Sequence, residues 1–102
     1  TVPNPSDGCL EARPVITPDE RDGRNDEFII GCIEEYQNTV EIFNRWGQLI
    51  FETTNYNNTS NYWDGLSKSG DSLPEGVYFY VITFTDGNGQ KRQIKGYVNL
   101  LR

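Results

Sequence analysis

With fifteen Asp and Glu side chains and no His in 102 residues, proton transfer in this chain would fall to paired carboxylates or to a lysine of depressed pKa. The carboxylates in question, Asp64, Asp71, Glu75 and Asp86, each stand beside Gly or Pro. In such turns Asp commonly bonds its own backbone. Without His no Ser has a triad-type base, and Gly87-Asn88-Gly89 has the make-up of a hairpin tip rather than a phosphate cradle. No catalytic constellation emerges, and the chain reads as a non-enzyme.

Oxygen ligands are the second chemistry on offer. Asp19, Glu20, Asp22, Asn25 and Asp26 crowd around Gly23, and Ca²⁺ takes six to eight oxygens from such groups. Asp19, Asp22, Asn25 and Asp26 are therefore a candidate calcium set, although their spacing is not that of an EF-hand. The competing reading is a loop of Asx turns, its charge offset by Arg21 and Arg24. Sulfur is the third. Cys9 and Cys32 are the only cysteines; an even count in an extracytoplasmic setting favours a disulfide, with two free thiols as the alternative. Without His or a Cys-x-x-Cys pair, zinc finds no ligand set.

The elements that must position these residues are β-strands. At 102 residues the chain is one domain, large enough to bury roughly 60–68% of its unfolded surface. Mean hydropathy is low, −0.65, but five Phe, six Tyr and two Trp supply large burial areas. No apolar run approaches the ~20 residues of a membrane helix. A net charge of −6 argues against nucleic acid, whose phosphates demand clustered Lys and Arg. The Pro-rich opening Thr1-Val2-Pro3-Asn4-Pro5 is expected of a segment cut from a longer protein, with residues 1–12 a linker or N-terminal arm and 13–102 the domain.

Alternation marks the strands. Val15-Ile16 is a short one confined by Pro14 and Pro18. Phe28-Ile29-Ile30 is another, stopped by Gly31. Val40 to Phe43 and Leu49 to Phe51 flank Asn44-Arg45-Trp46-Gly47, which has the residues of a tight hairpin. Thr53 to Asn61 is a polar loop. Val77 to Thr85 alternates most clearly, with Val77 and Phe79 on one face and Tyr78, Tyr80, Ile82 and Phe84 on the other. Asp86 to Gly89 turns the chain into a last strand with Ile94, Gly96, Val98 and Leu100 on one face. No stretch shows helical spacing. About seven short strands predict an all-β antiparallel β-sandwich of immunoglobulin or fibronectin type III-like shape, with Trp46 and Trp63 as lids over its ends.

Several of these pieces occur in a fixed order. Thr17-Pro18 and Asn25-Asp26-Glu27-Phe28 lead to Ile42-Phe43-Asn44-Arg45-Trp46-Gly47 and Trp63-Asp64-Gly65. Leu73-Pro74-Glu75-Gly76-Val77-Tyr78-Phe79-Tyr80 and Lys95-Gly96-Tyr97-Val98-Asn99-Leu100-Leu101-Arg102 complete the set. Over residues 13–102 this order resembles the gliding-motility-associated C-terminal domain of Bacteroidetes, the type B signal of the type IX secretion system. One departure is the family's Asn-Gly-Asp-Gly loop, here Asp19-Glu20-Arg21-Asp22-Gly23.

The resemblance implies protein transport rather than chemistry. The domain would direct a large cell-surface adhesin or secreted protein through the periplasm and the translocon, reading out to an outer-membrane barrel partner of the PorP/SprF type. It would then stay attached at the cell surface. The expected partner-binding residues are Asn44, Arg45, Trp46 and Gly47 in the turn, and Lys95, Gly96, Tyr97, Leu100, Leu101 and Arg102 in the last strand, because strand edges invite strand addition. The rival reading is an adhesive or carbohydrate-binding module, with Tyr56, Tyr62 and Trp63 as stacking platforms. No cofactor is implied beyond the candidate calcium.

Overall fold

In the computed structural model, which describes residues 10–17 and 27–101, the β-branched and aromatic runs form five strands. These are β1 (Val15–Ile16), β2 (Asn38–Phe43), β3 (Leu49–Thr54), β4 (Gly76–Thr85) and β5 (Lys91–Leu100). All lie in one sheet in the order β1-β5-β4-β2-β3. Pairings β4–β5, β2–β4 and β2–β3 are antiparallel. β1 runs parallel to β5, opposite Asn99 and Leu100.

The all-β expectation holds, but the sandwich expectation needs correction. Among the described residues there are five strands rather than about seven, they form one sheet, and one pairing is parallel. The physical reason is that Phe28-Ile29-Ile30 is cut short by Gly31 and the left-handed Cys32, and that segment 55–75 is rich in Asn, Asp and Gly, which are depleted in strands. Phe28 to Ile30, expected as a strand, makes only an isolated bridge between Ile30 and Ala12. The chain then turns through Cys32, whose φ of +58° is left-handed, into a 3-10 turn at Ile33–Glu35. These segments cover one face of the sheet as an irregular second layer.

That layer meets the sheet through side chains of matched parity. Val40, Ile42, Tyr78, Ile82, Phe84, Val98 and Leu100 point inward and are buried, and Phe28, Ile30, Ile33, Tyr36, Tyr56 and Trp63 cover them. Phe28 packs edge-on against Tyr56 and Trp63 at ring-centroid distances of 6.4 and 6.2 Å. Fully burying one such side chain stabilises by about 1.5–3 kcal/mol. Their polar atoms are matched as well. The Tyr56 hydroxyl donates to the Phe28 carbonyl and accepts from the Trp63 N–H at 3.0 Å, while the Trp63 indole N–H donates to the Leu66 carbonyl at 2.9 Å. Burial holds the Tyr56 hydroxyl well above the usual phenol range, so it stays a neutral donor.

Asparagine organises the rest. The buried Asn38 amide donates to the carbonyls of Ile33, Tyr36 and Tyr56, and its Oδ1 accepts the Tyr56 N–H at 2.8 Å. Asn58 exchanges two bonds with the Ile30 backbone, and Asn57 Oδ1 collects the N–H groups of Thr59, Ser60 and Asn61. The polar loop is thus a hydrogen-bonded clamp between the 3-10 turn and the sheet. Cys32 carries no free thiol. Its expected partner Cys9 lies outside the described residues, as do Asp19, Asp22, Asn25, Asp26 and Arg102.

Candidate functional site

Because the second layer covers only one face, the odd-numbered residues of β4 and β5 are left on the other. Cross-strand register aligns Leu49, Phe43, Phe79 and Tyr97 in one row across four strands. Leu49 and Phe79 are each 45% exposed, Val77 41% and Tyr97 57%. Patches of large apolar side chains on a soluble domain mark contact surfaces. The next row holds Glu52, Glu41, Val81 and Lys95, so charge changes sign along it from β3 to β5.

The Asn44–Gly47 turn lies at one end of this face and is built to hold Trp46 out. Asn44 Oδ1 accepts the N–H groups of Trp46 and Gln48 at 2.9 and 3.0 Å, and its amide donates to Gln48 Oε1 at 2.9 Å. Gly47 takes φ +82°, a conformation in which any Cβ is strained. The expectation of Trp46 as a lid over the core is corrected: the ring is 72% exposed, with the Arg45 guanidinium 4.6 Å from its centroid. Trp63, by contrast, is fully buried. Trp46 adjoins the turn glycine Gly47 at the strand ends, whereas Trp63 is held over the sheet by its backbone bonds to the Phe28 N–H and the Tyr56 hydroxyl.

Two of the ordered sequence motifs meet at Trp46. Asn44, Arg45 and Trp46 from the turn and Leu73, Pro74 and Val77 from the segment entering β4 line a cleft of about 220 Å³. Tyr78, at its base, sends its hydroxyl back to the Pro74 carbonyl at 2.6 Å, which fixes the bend that presents Pro74.

The remaining expected contact residues divide. Lys95 and Tyr97 are exposed on the open face and Leu101 is 43% exposed beyond it. Gly96 and Leu100 face inward. A Cβ on Gly96 would stand 2.6 Å from Tyr80 Cζ, so its role is to let the Tyr80 ring lie across the strand. Leu100 is fully buried and pairs with both Gly76 and Ile16. Tyr56 and Trp63, offered as sugar platforms, are buried in the core. Sequence reasoning missed Phe43, Phe79 and Val77 as surface residues; their parity with Lys95 and Tyr97 was the available signal.

No cluster of His, Cys, Asp or Glu suited to a metal occurs among the described residues. The buried Asp86 is a turn residue: it accepts from the N–H groups of Asn88 and Gln90, and from Arg92 at 2.7 Å. The surface offers aromatic, apolar and hydrogen-bonding contacts to a macromolecule. Compared with known families, residues 10–100 match the model of the CHU_C type IX secretion signal domain. No curated protein matches the chain.

Proposed function

Since the chain belongs to the CHU_C type IX secretion signal family, which marks proteins for secretion or the cell surface through the type IX machinery, we propose that it is read by an outer-membrane barrel partner of the PorP/SprF type. The cleft between the Asn44–Trp46 turn and Leu73–Val77 is the centre of that recognition, with Tyr97 and Phe79 on the adjoining face. One observation carries the reading: Trp46 is 72% exposed on a turn whose hydrogen bonds serve to keep it there. Neither packing nor turn geometry calls for tryptophan at that position, and exposed tryptophan is a common anchor of interfaces. The Cys9–Cys32 disulfide belongs to the same reading, since passage through an oxidising periplasm permits it.

The test is export of a periplasm-targeted fluorescent passenger fused to residues 1–102 in a type IX-competent host, with and without the barrel partner. Trp46→Ala should leave stability within about 0.5 kcal/mol. A lost aromatic anchor is worth about 2 kcal/mol, roughly 30-fold in affinity, so export should fall sharply. Export of folded Trp46→Ala at the parent level would remove the cleft from the proposal. Deleting Leu100 to Arg102 is a poorer test, because Leu100 belongs to the core.

A further inference from the structure

The two edges of the sheet are not alike. In β3 the outward carbonyl of Ile50 accepts the Lys68 N–H at 3.0 Å and that of Thr54 accepts the Asn61 amide at 2.8 Å, which leaves only Glu52 between them. The other edge belongs to β5 wherever β1 does not cover it, and β1 pairs only at Asn99 and Leu100. Parity then follows from the outward bonds of this stretch: Asn99 N–H donates to Pro14 and Leu101 N–H to Ile16. Odd residues of β5 direct their backbone away from β4, and even residues toward it. Gln93, Lys95 and Tyr97 therefore present N–H and C=O groups along an edge that no strand among the described residues covers.

Natural sheets blunt such edges with bulges, prolines, covering loops or charged side chains, lysine above all, and Lys95 is the one charged side chain between Gln93 and Tyr97. Here the β2–β3 side is bulged at Ile50 and bonded at Ile50 and Thr54, while Gln93, Lys95 and Tyr97 of β5 have no covering strand among the described residues. Lys91 and Lys95 stand on the open face in a chain of net charge −6, and no salt bridge among the described residues engages either. Tyr97 follows, continuous with Phe79 and Phe43.

We propose that the edge of β5 from Gln93 to Tyr97 accepts an extended strand of a partner protein, carrying a carboxylate beside Lys95 and, two residues away, an apolar side chain beside Tyr97. Main-chain bonds supply the affinity and the alternate side chains the register. A second copy does not fit, because pairing β5 with β5 gathers Lys91 and Lys95 of both chains on one face, and like charges opposite one another destabilise a sheet. The inference rests on the secretion-signal reading and states how the machinery would grip the domain.

Lys95→Pro tests it, since proline there deletes an outward N–H and none of the bonds to β4. The expected result is a folded domain whose partner-dependent export falls about tenfold or more, the effect of losing a main-chain bond and blocking the strand's approach. Lys95→Glu should lose export to a similar extent through charge repulsion, while Lys95→Arg retains it. Amide exchange in the free parent domain should be fast at Gln93, Lys95 and Tyr97 and slow at Ile94 and Gly96. Parent-level export of Lys95→Pro or of Lys95→Glu would overturn the inference while leaving the secretion reading in place. Should the fixed φ of proline prevent folding, Lys95→Glu and amide exchange decide, and slow exchange at Lys95 in the free domain would overturn the inference. Retention of the parent fusion would refute the secretion reading itself.

Discussion

Replacing Asn38 by Leu should destabilise the domain by about 3–4 kcal/mol. The side chain is buried and makes four bonds: three from its amide, to the carbonyls of Ile33, Tyr36 and Tyr56, and one from the Tyr56 N–H to Oδ1. Leucine nearly matches the shape and removes all four. A stranded buried N–H costs about 1–3 kcal/mol, and each neutral bond to a carbonyl contributes about 0.5–1.5. The Ile33 carbonyl keeps its bond from the Tyr36 N–H, and the Tyr56 contact is long at 3.4 Å, which holds the total near the lower half of the simple sum. In a domain of this size that loss lowers Tm by roughly 12–32 °C. Asn38→Asp is the informative companion. It keeps an acceptor for the Tyr56 N–H but turns a carboxylate oxygen toward three carbonyls, so it should be at least as damaging at neutral pH and recover partly on acidification. Thermal and urea unfolding followed by circular dichroism, with an unchanged m-value, would measure both. A Tm for Asn38→Leu within about 5 °C of the parent, or Asn38→Asp milder than Asn38→Leu at pH 7, would refute the view that this amide staples the second layer to the sheet.

Gly96→Ala places a methyl 2.6 Å from Tyr80 Cζ and 2.9 Å from Cε2 and should cost about 1–3 kcal/mol by overpacking. In a Tyr80→Leu background the same change should be close to neutral, a coupling that urea unfolding of the four-member cycle would read. The Asp86 carboxyl is held below the usual carboxylate range by the Gln90 N–H, by Arg92 and by the Asn88 N–H. A depressed folded value means that its stabilisation is present above the unfolded pKa of about 3.9 and is lost as pH falls through the folded value. Stability measured from pH 7 to 2 should therefore decline on the acid side for the parent and less steeply for Asp86→Asn. If Cys9 and Cys32 are joined, reduction should lower stability by about 3 kcal/mol; intact mass with and without reductant establishes the bond independently.

Strand positions, hairpin turns and the ordered motifs were legible in the sequence because each is a local property. Alternation over Val77 to Thr85 can only be a strand, Asp86-Gly87-Asn88-Gly89 can only be a tight turn, and Asn44 with Gly47 closes a hairpin from within. The ordered motifs pointed to the secretion-signal family for the same reason, since they are short, contiguous and read in order. The number of sheets was not legible. Phe28-Ile29-Ile30 has the composition of a strand, but whether it finds a ladder depends on Ala12, Asn58 and Trp63, residues separated from it by 16 to about 35 positions.

The sequence by itself determined which residues alternate, where the chain turns and which motifs recur in order, since bond geometry and side-chain shape act between near neighbours. Only the tertiary structure decided which face of β4 is covered, that Trp46 stands out while Trp63 is buried, that Gly96 serves Tyr80, and that no strand among the described residues covers β5 from Gln93 to Tyr97. Each of these depends on what long-range packing brings alongside. A strand's two faces and two edges are equivalent until the rest of the chain occupies one of each.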